Sequence, residues 1–268
     1  MAREFDELVC EESMLEAFSP GASARAGQVA HNICFVGDSH LAAIKLGWDR
    51  VAAEYPDLTC DFFGSARKRG ADMADLEFID GNLVPATALL RAQIESIFGR
   101  HSIRVADFEC IAIVGLRCDF ARAVRRARLS EADAAAAMDK VFRSSAALEI
   151  AASLNGSGAK VLMVPAPAPS EAILSQRLSG LSRDQVAAYY EIYRSGLDKA
   201  AAEAGARLVL QPAHTMSSPG LSRHELTSGA VRLREGLKNH HRAENLSHMN
   251  ADYGIALLKQ IYGSTFDK

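Results

Sequence analysis

The sequence predicts an α/β fold: three layers, α/β/α, around a central, mostly parallel five-stranded sheet. Short unbroken apolar runs of strand length alternate along the chain with longer stretches whose apolar residues recur at helical spacing. That order puts helices on both faces of a parallel sheet. A length of 268 residues with 49% apolar content suffices for one sizeable domain of this kind. The domain is expected over 31–268. An N-terminal arm or linker is expected over 1–30, where an acidic start (Glu4, Asp6, Glu7, Glu11, Glu12, Glu16) leads into Ser19-Pro20-Gly21-Ala22-Ser23.

The first strand is expected at 33–36, where Ile33-Cys34-Phe35-Val36 runs into Gly37-Asp38-Ser39-His40. The glycine relieves a tight turn, and a helix at 41–54 follows, carrying Leu41, Ile44, Leu46 and Val51. A second strand is expected at 58–63 and ends at Gly64; a helix is expected at 86–98 and a third strand at 110–114. The alanine-rich stretch 131–154 reads as one helix stopped by Asn155-Gly156-Ser157-Gly158. A fourth strand at 161–165 enters Pro165-Ala166-Pro167-Ala168-Pro169, where a stiff loop is expected. In the helix at 183–204, Val186, Tyr189, Tyr190, Tyr193 and Leu197 recur at helical spacing, which reads the tyrosines as packing groups. A last strand at 207–210 and a last helix at 251–262 complete the pattern. Open parallel sheets collect ligands at the carboxyl ends of their strands. Ser39, Gly64, Arg117, the proline loop and the segment after Leu210 should therefore converge.

A net charge of −3 gives no global electrostatic case for nucleic acid or an anionic membrane. No apolar run reaches the roughly 18 residues of a spanning helix, and the first 30 residues lack a basic start with an apolar core. A cytoplasmic location is the expectation. The five cysteines, Cys10, Cys34, Cys60, Cys110 and Cys118, show no metal-type pairing and read as free thiols. Cys118, just past the third strand, is either a small packing residue or a thiol near the site.

A serine needs a base within hydrogen-bond reach and donors for the oxyanion it creates. Ser39, at the start of a helix, has such a base in His248 of Asn245-Leu246-Ser247-His248-Met249-Asn250. Asp38 reads as a carboxylate that ties down the turn through backbone amides. His40 is placed either to contact substrate or only to cap the helix or face solvent. His240, His241 and Glu244 lie near His248, but their spacing matches no established ligand set, so no metal or cofactor is expected. His214 reads as a loop histidine.

Gly37-Asp38-Ser39 after the first strand and Asn245-x-x-His248 before the last helix together resemble the two end blocks of the SGNH hydrolases, or GDSL esterases. The resemblance covers nearly the whole chain in topology and implies a flavodoxin-like sheet. By that resemblance Ser39 is the nucleophile and its amide an oxyanion donor, Gly64 offers a second donating amide, and His248 is the general base. The chain departs from the family twice. Gly115-Leu116-Arg117 stands where the family has Gly-x-Asn, and Asn245 stands where it has the aspartate that supports the histidine. In serine proteases the equivalent aspartate-to-asparagine change costs about 10⁴ in kcat, chiefly through the wrong histidine tautomer. The expectation is a dyad of Ser39 and His248 assisted by Asn245, Glu244 or a backbone carbonyl. Arg117 has two readings: a guanidinium that replaces the missing donor and grips a carboxylate or phosphate, with Arg67, Lys68 and Arg69 at the same rim, or one member of an ion pair with Asp119 or Glu109.

The function so implied is hydrolysis of a small-molecule or glycan O-acyl ester, with an anionic substrate as one option. The alternatives are an O-acyltransferase and a catalytically weak or silent binding domain. A nucleotide-binding fold is disfavoured, because the chain has neither Gly-x-Gly-x-x-Gly after the strand nor a lysine-bearing phosphate loop.

Overall fold

The computed structural model describes residues 30–66, 71–128, 133–175, 178, 180–234, 239–242 and 245–266. The expected arm over 1–30, the basic triplet Arg67, Lys68 and Arg69, and Glu244 therefore lie outside the described residues, apart from Ala30.

In chain order the elements are β1 (His31–Gly37), α1 (Leu41–Val51), β2 (Leu58–Gly64), β3 (Leu76–Ile79), β4 (Asn82–Pro85), α2 (Ala88–Phe98), β5 (Ile103–Arg104), β6 (Cys110–Val114), α3 (Phe120–Arg128), α4 (Ala134–Arg143), α5 (Ala146–Ser153), β7 (Lys160–Val164), α6 (Arg183–Glu203), β8 (Arg207–Leu208), β9 (Met216–Ser218), β10 (Leu221–Ser222) and α7 (Ala251–Thr265). Five of the strands form one parallel sheet in the order β2-β1-β6-β7-β8. Counting only these strands, the order is 2-1-3-4-5, the flavodoxin-like winding, whose direction of travel reverses between the first and third strands. Here that switch point lies between β1 and β6.

Both faces of the sheet are buried, and side chains alternate between them as the pleat requires. From β1, Cys34 and Val36 join one apolar cluster while Ile33 and Phe35 join the other; in β6, Ile111 and Ile113 take the first side and Cys110, Ala112 and Val114 the second. The first cluster packs beneath α2 to α6 and the second beneath α1 and α7. Tyr190 and Tyr193 of α6 lie buried against Phe120 at ring separations of 5.3 Å, and the half-buried Tyr189 packs against the same cluster.

Helices α1 and α7 cross in close contact because glycines face each other. A Cβ on Gly254 would sit 2.0 Å from the Ala43 carbonyl oxygen, and one on Gly47 would sit 2.7 Å from the Ile255 nitrogen. No side chain fits either point. This contact governs the site, since α1 follows Ser39 and α7 follows His248.

Several expected boundaries are corrected. The helix read over 131–154 is two: α4 ends at Arg143, and the wholly buried Ser145 caps α5 by accepting from the Leu148 amide. Ser144 Oγ donates to the Val141 carbonyl while Ser145 accepts from the Leu148 amide, side-chain bonds of the kind that compete with a continuous helix. The helix read over 41–54 is α1 followed by a 3-10 turn over Ala52–Glu54. The strand read over 207–210 pairs only at Arg207–Leu208. The antiparallel sheet β3-β4-β5 between β2 and β6 was not expected. Its first hairpin closes on Asp80-Gly81, both at positive φ (47° and 80°), the two-residue turn that matches the twist of paired strands.

Candidate functional site

β1 ends at Gly37, where a Cβ would lie 2.5 Å from the Val114 carbonyl oxygen; on the other side Gly64 ends β2, where a Cβ would lie 2.0 Å from the Gly37 carbonyl oxygen. Three strand ends thus close on one point, with Ser39 two residues beyond it. The Gly37 carbonyl accepts from the Ser65 amide at 3.2 Å. Asp38 holds the turn: Oδ1 accepts from the His40 amide at 3.1 Å and Oδ2 from the Leu116 amide at 2.9 Å. Its carboxylate ties the end of β1 to the loop after β6, the turn-holding role read from the sequence.

Opposite Asp38, Gly115, Leu116 and Arg117 all have positive φ (72°, 51° and 69°). Two consecutive non-glycine residues in that region store strain that the surroundings must offset. The Leu116 amide on Asp38 is one such restraint, and the Arg117 guanidinium on Asp72 is another. The ion-pair partner of Arg117 is thus Asp72 and neither of the two acids expected. Asp119 instead accepts from the Arg122 amide, and Glu109 binds Lys160 and His31. Arg117 Nε is buried with no partner among the described residues.

Ser39 Oγ lies 2.8 Å from His248 Nε2. On the far side of the ring, His248 Nδ1 lies 3.0 Å from Asn245 Oδ1. The orientation of that amide follows from its other contacts. Oδ1 is 3.1 Å from the amide nitrogens of both Ser247 and His248, which only donate, so the atom facing them is the oxygen. His248 Nδ1 therefore carries the hydrogen, and the Nε2 lone pair faces the serine hydroxyl. A neutral asparagine here enforces the tautomer that a general base needs.

His248 is sandwiched between two further imidazoles. His241 stacks on it at 3.9 Å and His40 at 4.9 Å, both rings within 20° of parallel. His40 makes no side-chain cap to α1, so the capping reading is set aside. His241 is a site residue that the sequence reading noticed only as part of an unmatched metal set. Its Nδ1 lies 3.1 Å from Asn245 Nδ2. Nδ1 of His40 and Nε2 of His241 are buried with no partner among the described residues.

Burial pushes the His248 pKa down to about 2, with the charges of His40, His241 and Arg232 acting in the same direction. His241 is lowered as well, first by burial and then by Arg232 and His40. The central imidazole is therefore neutral. Cys118 lies apart from this chemistry: it is buried, contacts the Tyr193 hydroxyl at 3.5 Å, and burial pushes its thiol up to about 12. The packing reading fits it. His214 and His240 are exposed, with His240 Nδ1 on the Gly229 carbonyl, and neither joins the histidine stack. Among the described residues no group of three or more His, Cys, Asp or Glu side chains is arranged to hold a metal ion, and no helix is long and apolar enough to cross a membrane.

A cavity of about 310 Å³ opens at the end of β2, lined by Ser65, Ala66, Gln93, Ser96, Leu233 and Asn239 among others. Ser65 Oγ donates to Gln93 Oε1 at 2.7 Å in its wall.

No family model and no curated protein matches the chain. Among solved structures it is similar to the periplasmic domain of the lipopolysaccharide acetyltransferase of Salmonella ser. Paratyphi A, at 14% identity over 88% of this chain and 83% of that one, with a TM-score of 0.41. It is also similar to a candidate SGNH hydrolase from Slackia heliotrinireducens, at 16% identity over 85% of this chain and 96% of that one, with a TM-score of 0.42. At this degree of overlap the functional reading rests on the geometry of the site itself.

Proposed function

We propose that the protein is a serine-dependent hydrolase of O-acyl esters carried by a small molecule or a glycan. The observation that carries this reading is the hydrogen-bonded series Ser39 Oγ, His248 Nε2, His248 Nδ1, Asn245 Oδ1, whose donors and acceptors are aligned for proton removal from the serine.

His248 Nε2 takes the Ser39 proton as Oγ attacks the ester carbonyl, giving a tetrahedral oxyanion. The amides of Ser39 and Gly64 serve as its donors. His248 then returns the proton to the leaving alkoxide, and an acyl-Ser39 ester remains. Water activated by the same Nε2 hydrolyses it. A hydroxyl in place of water gives acyl transfer by the same steps, and the polar cavity beside Gly64 is one place for either acceptor. The charge of Arg117 is matched by Asp72, so a neutral acyl group suits this rim.

The test is intact mass after treatment with a fluorophosphonate, which phosphonylates an activated serine. The wild type is expected to gain one adduct, absent in Ser39→Ala and strongly reduced in His248→Ala. An unlabelled wild type under conditions that label a control esterase would replace the enzyme reading with a binding module.

A further inference from the structure

We infer that His241 is a positioning residue of this site: as a neutral acceptor behind Asn245, it lets an uncharged amide perform part of the work of a carboxylate. The inference rests on the proposed role of His248 as base.

Asn245 Oδ1 receives three hydrogen bonds, from the Ser247 amide, the His248 amide and His248 Nδ1. Among the described residues, no carboxylate hydrogen-bonds to that side to balance the imidazolium that forms when Ser39 gives up its proton. The other side is the Nδ2 group, which donates to His241 Nδ1 at 3.1 Å. A lone pair drawn onto an amide N–H increases the electron density on the amide oxygen, and hydrogen bonds in series strengthen one another. The path from the nucleophile is thus Ser39, His248, Asn245, His241, each of its three links running from a donor to an acceptor. It requires His241 to be unprotonated at Nδ1, and the half-buried, lowered-pKa environment of the ring keeps it so.

The stack adds a second contact between the same two rings. The His241 face lies 3.9 Å from His248 at an interplanar angle of 19°, which offers ring electron density to a charge developing on His248. The amide path and the stack make opposite predictions for two substitutions. His241→Phe keeps a ring and removes the acceptor; His241→Gln keeps a carbonyl acceptor and removes the ring.

Both substitutions are made in the full chain, in the native background and in Asn245→Asp. Two readouts are taken: the rate of fluorophosphonate labelling at Ser39, and the proton resonance of His248 Nδ1–H, which moves upfield as its hydrogen bond weakens. His241→Phe is expected to slow labelling roughly tenfold, the size of a typical coupling within one hydrogen-bond network, and to move the resonance upfield. His241→Gln is expected to do less of both. In the Asn245→Asp background, where a carboxylate supplies the charge directly, His241→Phe should have little effect. An equal loss in both backgrounds, a larger loss in His241→Gln than in His241→Phe, or an unmoved resonance in His241→Phe would each overturn the inference. If the native protein takes no phosphonate, the esterase reading fails, while the resonance still tests the link from His241 to His248.

Discussion

Asp38 stands beside the nucleophile, and its importance comes from backbone atoms it holds rather than from chemistry it performs. Its two oxygens take the amides of His40 and Leu116, one on each side of the switch point between β1 and β6. Gly115 packs against the same carboxylate, where a Cβ would lie 2.6 Å from Oδ1. Loss of the carboxylate leaves two part-buried donors without their acceptor and releases a turn whose residues sit at positive φ. Asp38→Ala is expected to cost about 1–3 kcal/mol, from the unpaired amides, and Asp38→Asn less, because its oxygen still serves one of them. Urea unfolding checks this; equal stability of Asp38→Ala and the native protein would show that the turn holds without Asp38. Residues of this kind were legible, since a carboxylate between a strand-ending glycine and a helix start has few other uses. The pairing of Arg117 with Asp72 was not legible, because the two lie 45 positions apart and meet only through the left-handed turn.

Among elements, the pair α1 and α7 sets the distance between Ser39 and His248. The two helices meet at Gly47 and Gly254, and the second is capped by Asn250, whose Oδ1 accepts from the Asp252 and Tyr253 amides while Nδ2 donates to the Glu225 and Ser228 carbonyls. The segment bearing His248 is thus pinned at its downstream end. A methyl at Gly254 would overlap the Ala43 carbonyl, so α7 must move away from α1. Gly254→Ala is expected to destabilise the fold by about 1–3 kcal/mol, as overpacking does, and to slow Ser39 labelling by lengthening the 2.8 Å contact. Gly263→Ala, where nothing lies near the added carbon, is the control and should leave labelling unchanged. If Gly254→Ala labels as fast as the control, the helix crossing does not govern the site. The strands and long helices were readable from continuous apolar runs and helical periodicity. The β3-β4-β5 sheet carried its own signal in Ile79-Asp80-Gly81-Asn82, an Asp-Gly turn between short runs, but those runs are too short to stand out beside the parallel strands.

At the scale of the molecule, the parallel sheet gathers residues from both ends of the chain into a half-buried cluster of three imidazoles, and that arrangement has a thermodynamic consequence. The motifs at the two ends of the chain paired Ser39 with His248 from the sequence, whereas the histidine stack depends on loop conformation that no periodicity encodes. Burial, with the charges of His40, His241 and Arg232, lowers the His248 pKa to about 2, and His241 is lowered too. An unfolded chain protonates these rings near the ordinary value of about 6.5. Below that pH the unfolded state binds protons that the native state refuses, so stability falls with falling pH, by up to about 1.4 kcal/mol per pH unit for each such ring. Between pH 7 and pH 5 the native protein should lose on the order of 1–2 kcal/mol more than His248→Gln, measured by chemical denaturation at each pH. While the fold persists, His248 stays neutral, so the rate of Ser39 phosphonylation should hold level over that interval and drop only with loss of near-ultraviolet ellipticity. A labelling rate that falls with a midpoint near pH 6.5 in folded protein would mean that His248 titrates as an ordinary histidine, and that the stack does not shield the base from protons.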